Sequence, residues 1–220
     1  MRGLYILSEG STEEQFINEV LNRYFYNRGI YDVRAILMET SHGHKGGAVS
    51  YQRFKRNAEN LLRRETDIIV TSLIDFFRLY TDFPCYTESL QIVNKMDRIG
   101  FLEQAISENI NNHRFIPYIQ LHEFEGLLFS SNNGFDYIPD IPHNFRLQLS
   151  DAVKSHDNPE LLNDGAETAP SKRLERLIPG YQKAFHGPLI ADIITIDMML
   201  EKCERFRNWI ELLVQRMQAE

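Results

Sequence analysis

Residues 67–74, Asp67-Ile68-Ile69-Val70-Thr71-Ser72-Leu73-Ile74, make a run that is almost wholly apolar and rich in β-branched side chains. A strand with one wet face alternates polar and apolar residues. This one leaves no face for water, so it reads as a central strand covered on both sides. Helices must then lie above and below it. Further strand candidates stand at 3–8, 32–38 and 115–121, and helical patterns fall between them at about 12–26, 51–64 and 88–110. Strands alternating with helices imply a parallel sheet with right-handed crossovers. Pro117 places the fourth strand at an edge or a bulge, because proline cannot donate to a ladder.

The expected fold class is therefore α/β: a small, mostly parallel four-stranded sheet flanked by helices over residues 1–125. The pattern changes beyond that point. A short apolar helix at 126–129 leads into a connector rich in Pro, Asn and Asp, then a polar loop near 156–170 and helices at about 171–178 and 197–217. Residues 126–220 read as a helical extension packed on the core.

Composition excludes several classes. No apolar stretch of the 220 residues approaches the roughly 20 needed to span a membrane. No signal peptide is visible, and Cys85 and Cys203 form no metal or disulfide pattern, so a reducing cytoplasm is the expected compartment. A net charge of −7 argues against a protein that coats nucleic acid by bulk electrostatics. It does not argue against a nuclease, whose metal site is itself built of carboxylates. Basic residues also cluster, at Arg53, Lys55, Arg56, Arg63 and Arg64 and again at Lys172, Arg173 and Arg176. A solvated helix face is the simpler account of the first group.

In a parallel sheet the carboxyl ends of the strands share one edge, and chemistry collects there. The first strand is followed by Ser8-Glu9-Gly10-Ser11-Thr12-Glu13, the third ends at Asp75, and the fourth ends in His122-Glu123-Phe124-Glu125. Carboxylates brought together repel unless a proton or cation lies between them, and a hard divalent ion such as Mg²⁺ or Mn²⁺ is the simplest occupant. Each residue also has a plainer role open to it. Glu13 fits the acidic first turn of a helix, Asp75 could cap the segment that follows it, and Glu123 or Glu125 could serve a helix dipole. His122 suits orienting a carboxylate better than binding a hard ion. His42, His44 and Lys45-Gly46-Gly47 mark a loop able to meet phosphate through backbone N–H groups, a weak zinc half-site without cysteine partners, or, as the simplest account, an ordinary surface loop.

Glu9-Gly10-Ser11-Thr12-Glu13, together with an acidic residue closing a central strand, resembles the Toprim fold of topoisomerases, primases and the overcoming-lysogenization-defect nucleases. Taken with Asp75-Phe76-Phe77, Gln120-Leu121-His122-Glu123-Phe124-Glu125-Gly126-Leu127-Leu128-Phe129 and Ala169-Pro170-Ser171-Lys172-Arg173-Leu174, the chain is similar along nearly its whole length to one bacterial Toprim-like family of unassigned function. Members of that family are often encoded beside AAA- or ABC-type ATPases in mobile and defence loci. The resemblance implies that Glu9 and Glu13 match a metal-binding pair and that Asp75 matches the first Asp of an Asp-x-Asp signature. Phe77 stands where the second Asp belongs and cannot bind metal, which leaves one metal, or two completed by Glu123 and Glu125.

By the same resemblance Lys172 matches a lysine near the scissile phosphate, delivered by the extension, with Ser171 and Arg173 beside it. The implied function is a Mg²⁺- or Mn²⁺-dependent nuclease with Glu9, Asp75 and Lys172 as catalytic residues. It would act on DNA or RNA in defence against foreign elements. The resemblance also implies an ATPase partner, from which any ATP dependence would come since the chain has no Walker A pattern of its own, and a homodimer stays open. The alternative is a non-catalytic Toprim-like binding module or a regulatory subunit of an ATPase complex.

Overall fold

The structure is a computed structural model that describes residues 2–41, 44–45, 49–163, 165 and 168–219, without the side chains at positions 40, 41, 44, 45 and 78. The elements run β1 (Gly3–Ser8), α1 (Ser11–Phe16) passing through a π turn at Ile17–Leu21 into α2 (Asn22–Tyr26), and β2 (Val33–Leu37). A small pair β3 (Glu39–Ser41) and β4 (His44–Lys45) precedes α3 (Tyr51–Arg64), β5 (Ile68–Asp75), α4 (Tyr86–Ser89), α5 (Lys95–Ile110), β6 (Phe115–Ile116) and β7 (Ile119–Gln120). A 3-10 turn at Phe124–Ser130 then leads to α6 (Asn133–Asp136), α7 (His143–Lys154), α8 (Pro170–Leu177), α9 (Lys183–Ile194), α10 (Ile196–Lys202) and α11 (Glu204–Gln218).

The main sheet has the order β2-β1-β5-β6, with β7 also paired to β5, and every pairing is parallel. All residues of β1 and β5 are buried. Their side chains sort by the period of two. Leu4, Ile6, Ile69 and Leu73 join one core with α1, α9 and α11, while Tyr5, Leu7, Val70 and Ile74 join a second core with Phe54 of α3 and Leu102 of α5. The protein is thus an α/β sheet with helices on both faces.

Four departures from the sequence expectation have local causes. The fourth strand is split into β6 and β7 around Pro117-Tyr118. The hydroxyl of Ser72 fills the gap, donating to the Tyr118 carbonyl at 3.0 Å and accepting its N–H at 2.9 Å. The helix expected from residue 88 starts at Lys95, where Asn94 Oδ1 accepts the Met96 and Asp97 N–H groups. The helix expected at 197–217 breaks at Cys203, because the buried Glu160 carboxylate accepts the N–H groups of Arg205 and Phe206 and starts α11 afresh. Finally, α7 and α9 form in stretches to which the sequence reading assigned no helix. The helical pattern of α9 is masked by Pro188 within it.

Candidate metal and phosphate site

Ser8 is in register with Leu73, so Glu9 leaves β1 beside the end of β5, where Asp75 closes the strand. Glu9 Oε2 accepts the Asp75 N–H at 3.3 Å. Gly10 then carries the chain into α1. A Cβ at position 10 would stand 2.9 Å from Glu13 Oε2, so the missing side chain is what lets the Glu13 carboxylate fold back over the turn. Glu9, Glu13 and Asp75 are 7%, 4% and 3% exposed. With Gly10, Ser11, Thr12, Lys183 and Ala184 they line a cavity of about 250 Å³.

The cavity is electrostatically strained. Burial drives the Asp75 carboxyl well above the usual carboxylate range, repulsion from Glu13, Glu9 and Glu125 adds to it, and Lys183 works against it. Lys183 enters from the first turn of α9 and puts Nζ 3.0 Å from Glu125 Oε2. Glu125 is fully buried in the 3-10 turn after β7, and burial pushes its carboxyl up to about 7 despite the lysine. Burial disfavours the Lys183 ammonium, yet Glu125, Asp75 and Glu13 together hold it above its ordinary value.

The donors around the cavity are carboxylate oxygens on a rigid sheet edge, the chemistry a hard divalent cation requires. As the side chains stand, no three His, Cys, Asp or Glu groups among the described residues are set as a ready metal cage. The positive charge lining the cavity among the described residues is the Lys183 ammonium.

The remaining candidates fall in different places. His122 adopts a left-handed backbone (φ 70°), and its carbonyl accepts the Phe77 N–H at 3.1 Å. That kink turns the chain so that Phe124 N–H donates to Asp75 Oδ1 at 3.0 Å. Glu123 does not line the cavity. Its two oxygens accept the Ser171 N–H and hydroxyl at 3.1 and 3.0 Å, which seats a carboxylate on the first turn of α8. The placement expected of Lys172 is also corrected. Ser171 and Leu174 turn inward, which leaves Lys172 half-exposed, with Nζ 2.6 Å from Glu175 Oε2 and outside the cavity lining. Arg173 Nε donates to the Thr168 carbonyl at 2.8 Å. Phe77 is 52% exposed. Of Lys45 only the backbone is described, while His42, Gly43, Gly46 and Gly47 lie outside the described residues.

Lys183 is the cavity residue that sequence reasoning missed. It stands alone in an unremarkable stretch, and only the packing of α9 along α1 brings it to the carboxylates.

No helix among the described residues is long and apolar enough to cross a membrane. No curated protein matches the chain. Two solved structures of the C-terminal region of the Xanthomonas campestris pv. campestris OLD protein, one phased with platinum and one with iodine, are similar at 17% identity over 98% of this chain. The alignments cover 97% and 98% of those chains, with TM-scores of 0.43 and 0.40. The profile of the family described as a domain of unknown function (DUF4276) matches residues 8–214, so the chain belongs to that family.

Proposed function

We propose that the protein is a divalent-metal-dependent phosphodiesterase acting on nucleic acid, with its reaction centre at the Glu9, Glu13 and Asp75 cavity. The observation that carries this reading is the burial of three carboxylates in one small cavity, Glu9 and Glu13 from the β1–α1 turn and Asp75 from the end of β5, with the Asp75 carboxyl held well above its ordinary value. Nothing in packing alone calls for such a concentration of like charge, and perturbed groups of this kind gather where chemistry is done.

Glu9, Glu13 and Asp75 are the residues that would hold Mg²⁺ or Mn²⁺. When bound, that cation supplies Lewis-acid polarisation of a phosphoryl oxygen. Lys183 keeps a positive charge beside the same cavity, suited to the charge that builds on the phosphate or on the departing oxygen. Glu125 aims the lysine by its 3.0 Å contact. Asp75 is held in turn by the Phe124 N–H, which fixes one of its oxygens. Lys172 has no part in this proposal. The resemblance to families encoded beside ATPases makes an ATPase partner and a defence role part of the proposal too.

The test is Mn²⁺-supported hydrolysis of bis(p-nitrophenyl) phosphate and of DNA and RNA by the purified chain. The Glu9→Gln variant should lose at least a hundredfold in rate while its melting temperature moves little. Full activity in that variant refutes the reading.

A second reading has one observation in its favour, namely that Lys183 already provides a cation among carboxylates that form no ready cage. On that view the protein is a binding module or regulatory subunit. Calorimetry with Mn²⁺ separates the two, because only the enzyme takes up the ion saturably.

A further inference from the structure

The outward face of α3 is built of four arginines and two asparagines. At 100° per residue, Arg53, Arg56, Asn57, Asn60, Arg63 and Arg64 fall on one side of the helix, opposite Phe54, Ala58 and Leu62, which are buried against the sheet. All four arginines on this face are exposed, and the carboxylate nearest to them on the helix is Glu59, which flanks Arg63 at the margin of the face. The acids nearest in sequence are engaged elsewhere: Glu59 lies 3.8 Å from Lys55, and Glu65 accepts the Tyr5 hydroxyl at 2.7 Å. Among the described residues none of the four guanidiniums makes an ion pair.

In a chain whose net charge is −7, a helix face of this kind is a local reversal of sign. The charge is complementary to a polyanion.

The face lies in the layer opposite α1 and α9, and it approaches the carboxylate edge of the sheet at its amino-terminal end. The Tyr51 N–H that opens α3 donates to both oxygens of Asp82, at 3.1 and 3.0 Å, in the segment that follows Asp75. Tyr51 and Phe54 pack on Phe83 of that segment. The first turn of α3, with Arg53, therefore sits at the carboxylate edge of the sheet, and the row descends to Arg64 just ahead of β5. From Arg53 to Arg64 the helix rises roughly 16 Å, about five phosphate steps along one strand of a duplex.

We propose that the arginine face of α3 is a phosphate-backbone track that holds nucleic acid along this layer of the protein, starting near the carboxylate edge of the sheet. The guanidinium fork suits phosphate oxygens. The inference rests on the nucleic-acid reading of the cavity for its purpose, but its test does not need the cavity to work. A track of this kind contacts backbone only, so it confers affinity without sequence preference.

The experiment is fluorescence anisotropy with short DNA and RNA duplexes of one sequence, in EDTA, over a range of salt. The variants are the quadruple Arg53→Ala/Arg56→Ala/Arg63→Ala/Arg64→Ala and the matching quadruple Arg→Lys. Alanine is the best helix former, so α3 should persist, and circular dichroism checks that it does. The wild type should bind with log K falling linearly against log salt. The alanine variant should bind at least tenfold more weakly, with a slope shallower by about 3 to 4, near one unit per lost phosphate contact. The lysine variant should keep the slope.

Binding by DNA, by RNA or by both identifies the backbone that is held, provided the slope depends on the arginines. A wild type that binds neither duplex, or an alanine variant with an unchanged slope, overturns the proposal. Hydrolysis of bis(p-nitrophenyl) phosphate, run alongside, reports on the cavity by itself. It should be the same in wild type and alanine variant, and its absence in both defeats the catalytic reading while leaving the track standing.

Discussion

Lys183 and Glu125 form the pair on which the stability of the cavity turns. Their side chains are 28% and 0% exposed. Removing one partner leaves a buried charge uncompensated, which costs more than the pair contributes. Lys183→Met should therefore lose about 3 kcal/mol by urea denaturation, and adding Glu125→Gln should restore most of it. Simple additivity of the two substitutions would show that the contact is incidental. Glu125 also sets a pH dependence. Its carboxyl is raised from 4.5 to about 7 in the folded protein, so between those values the folded state binds more protons than the unfolded chain. Stability from this group is present below about pH 4.5 and drains away as pH rises through 7. Relative to Glu125→Gln, the wild type should lose on the order of 3 kcal/mol across that window in metal-free buffer, read from melts at each pH. A difference that stays flat with pH would show that the carboxyl titrates normally.

At the scale of elements, helix spacing decides what reaches the cavity. α9 delivers Lys183 only because it lies close along α1 at one end and closes on α6 near the other. A Cβ on Gly134 of α6 would fall 2.6 Å from Ile190 Cγ2 and 2.8 Å from Ile194 Cγ1, so no other residue allows that approach. Gly134→Ala should force the two helices apart and cost about 1–3 kcal/mol, measured as a drop in the urea midpoint. If α9 also shifts at its first turn, Mn²⁺ affinity should change with it, which would tie a distant contact to the site. α8 works differently. Its first turn is held by Glu123 through Ser171, so the Pro-Ser-Lys-Arg segment serves to anchor α8 to the turn after β7 rather than to bring Lys172 to the cavity.

The whole molecule is held by two cores on opposite faces of one sheet. The face bearing α1 is completed largely by residues beyond 125, among them Leu174, Ile190, Phe206, Trp209 and Leu213. Trp209 reaches the sheet itself, stacking on Tyr118 at 4.3 Å and donating Nε1–H to Thr71 Oγ1 at 2.9 Å. A fragment of residues 1–125 would expose Leu4, Ile6, Ile69 and Leu73 to water. It should show no cooperative thermal transition where the full chain shows one. A sharp melt of that fragment would mean that the first core is self-sufficient. What could be read from the amino acids alone was whatever short-range chemistry encodes. The both-faces-buried strand announced a parallel sheet, and Glu9, Gly10 and Glu13 announced a carboxylate turn at its edge. Interactions between residues far apart in sequence could not be read in this way. The split at Cys203 depends on Glu160, and the placement of the cavity ammonium depends on how α9 packs, not on the Pro-Ser-Lys-Arg pattern that pointed to Lys172. Periodicity and turn propensity act over a few residues, so they reveal strands, turns and faces. Which cation meets which carboxylate is settled by side-chain packing across the core, and only the folded chain contains that.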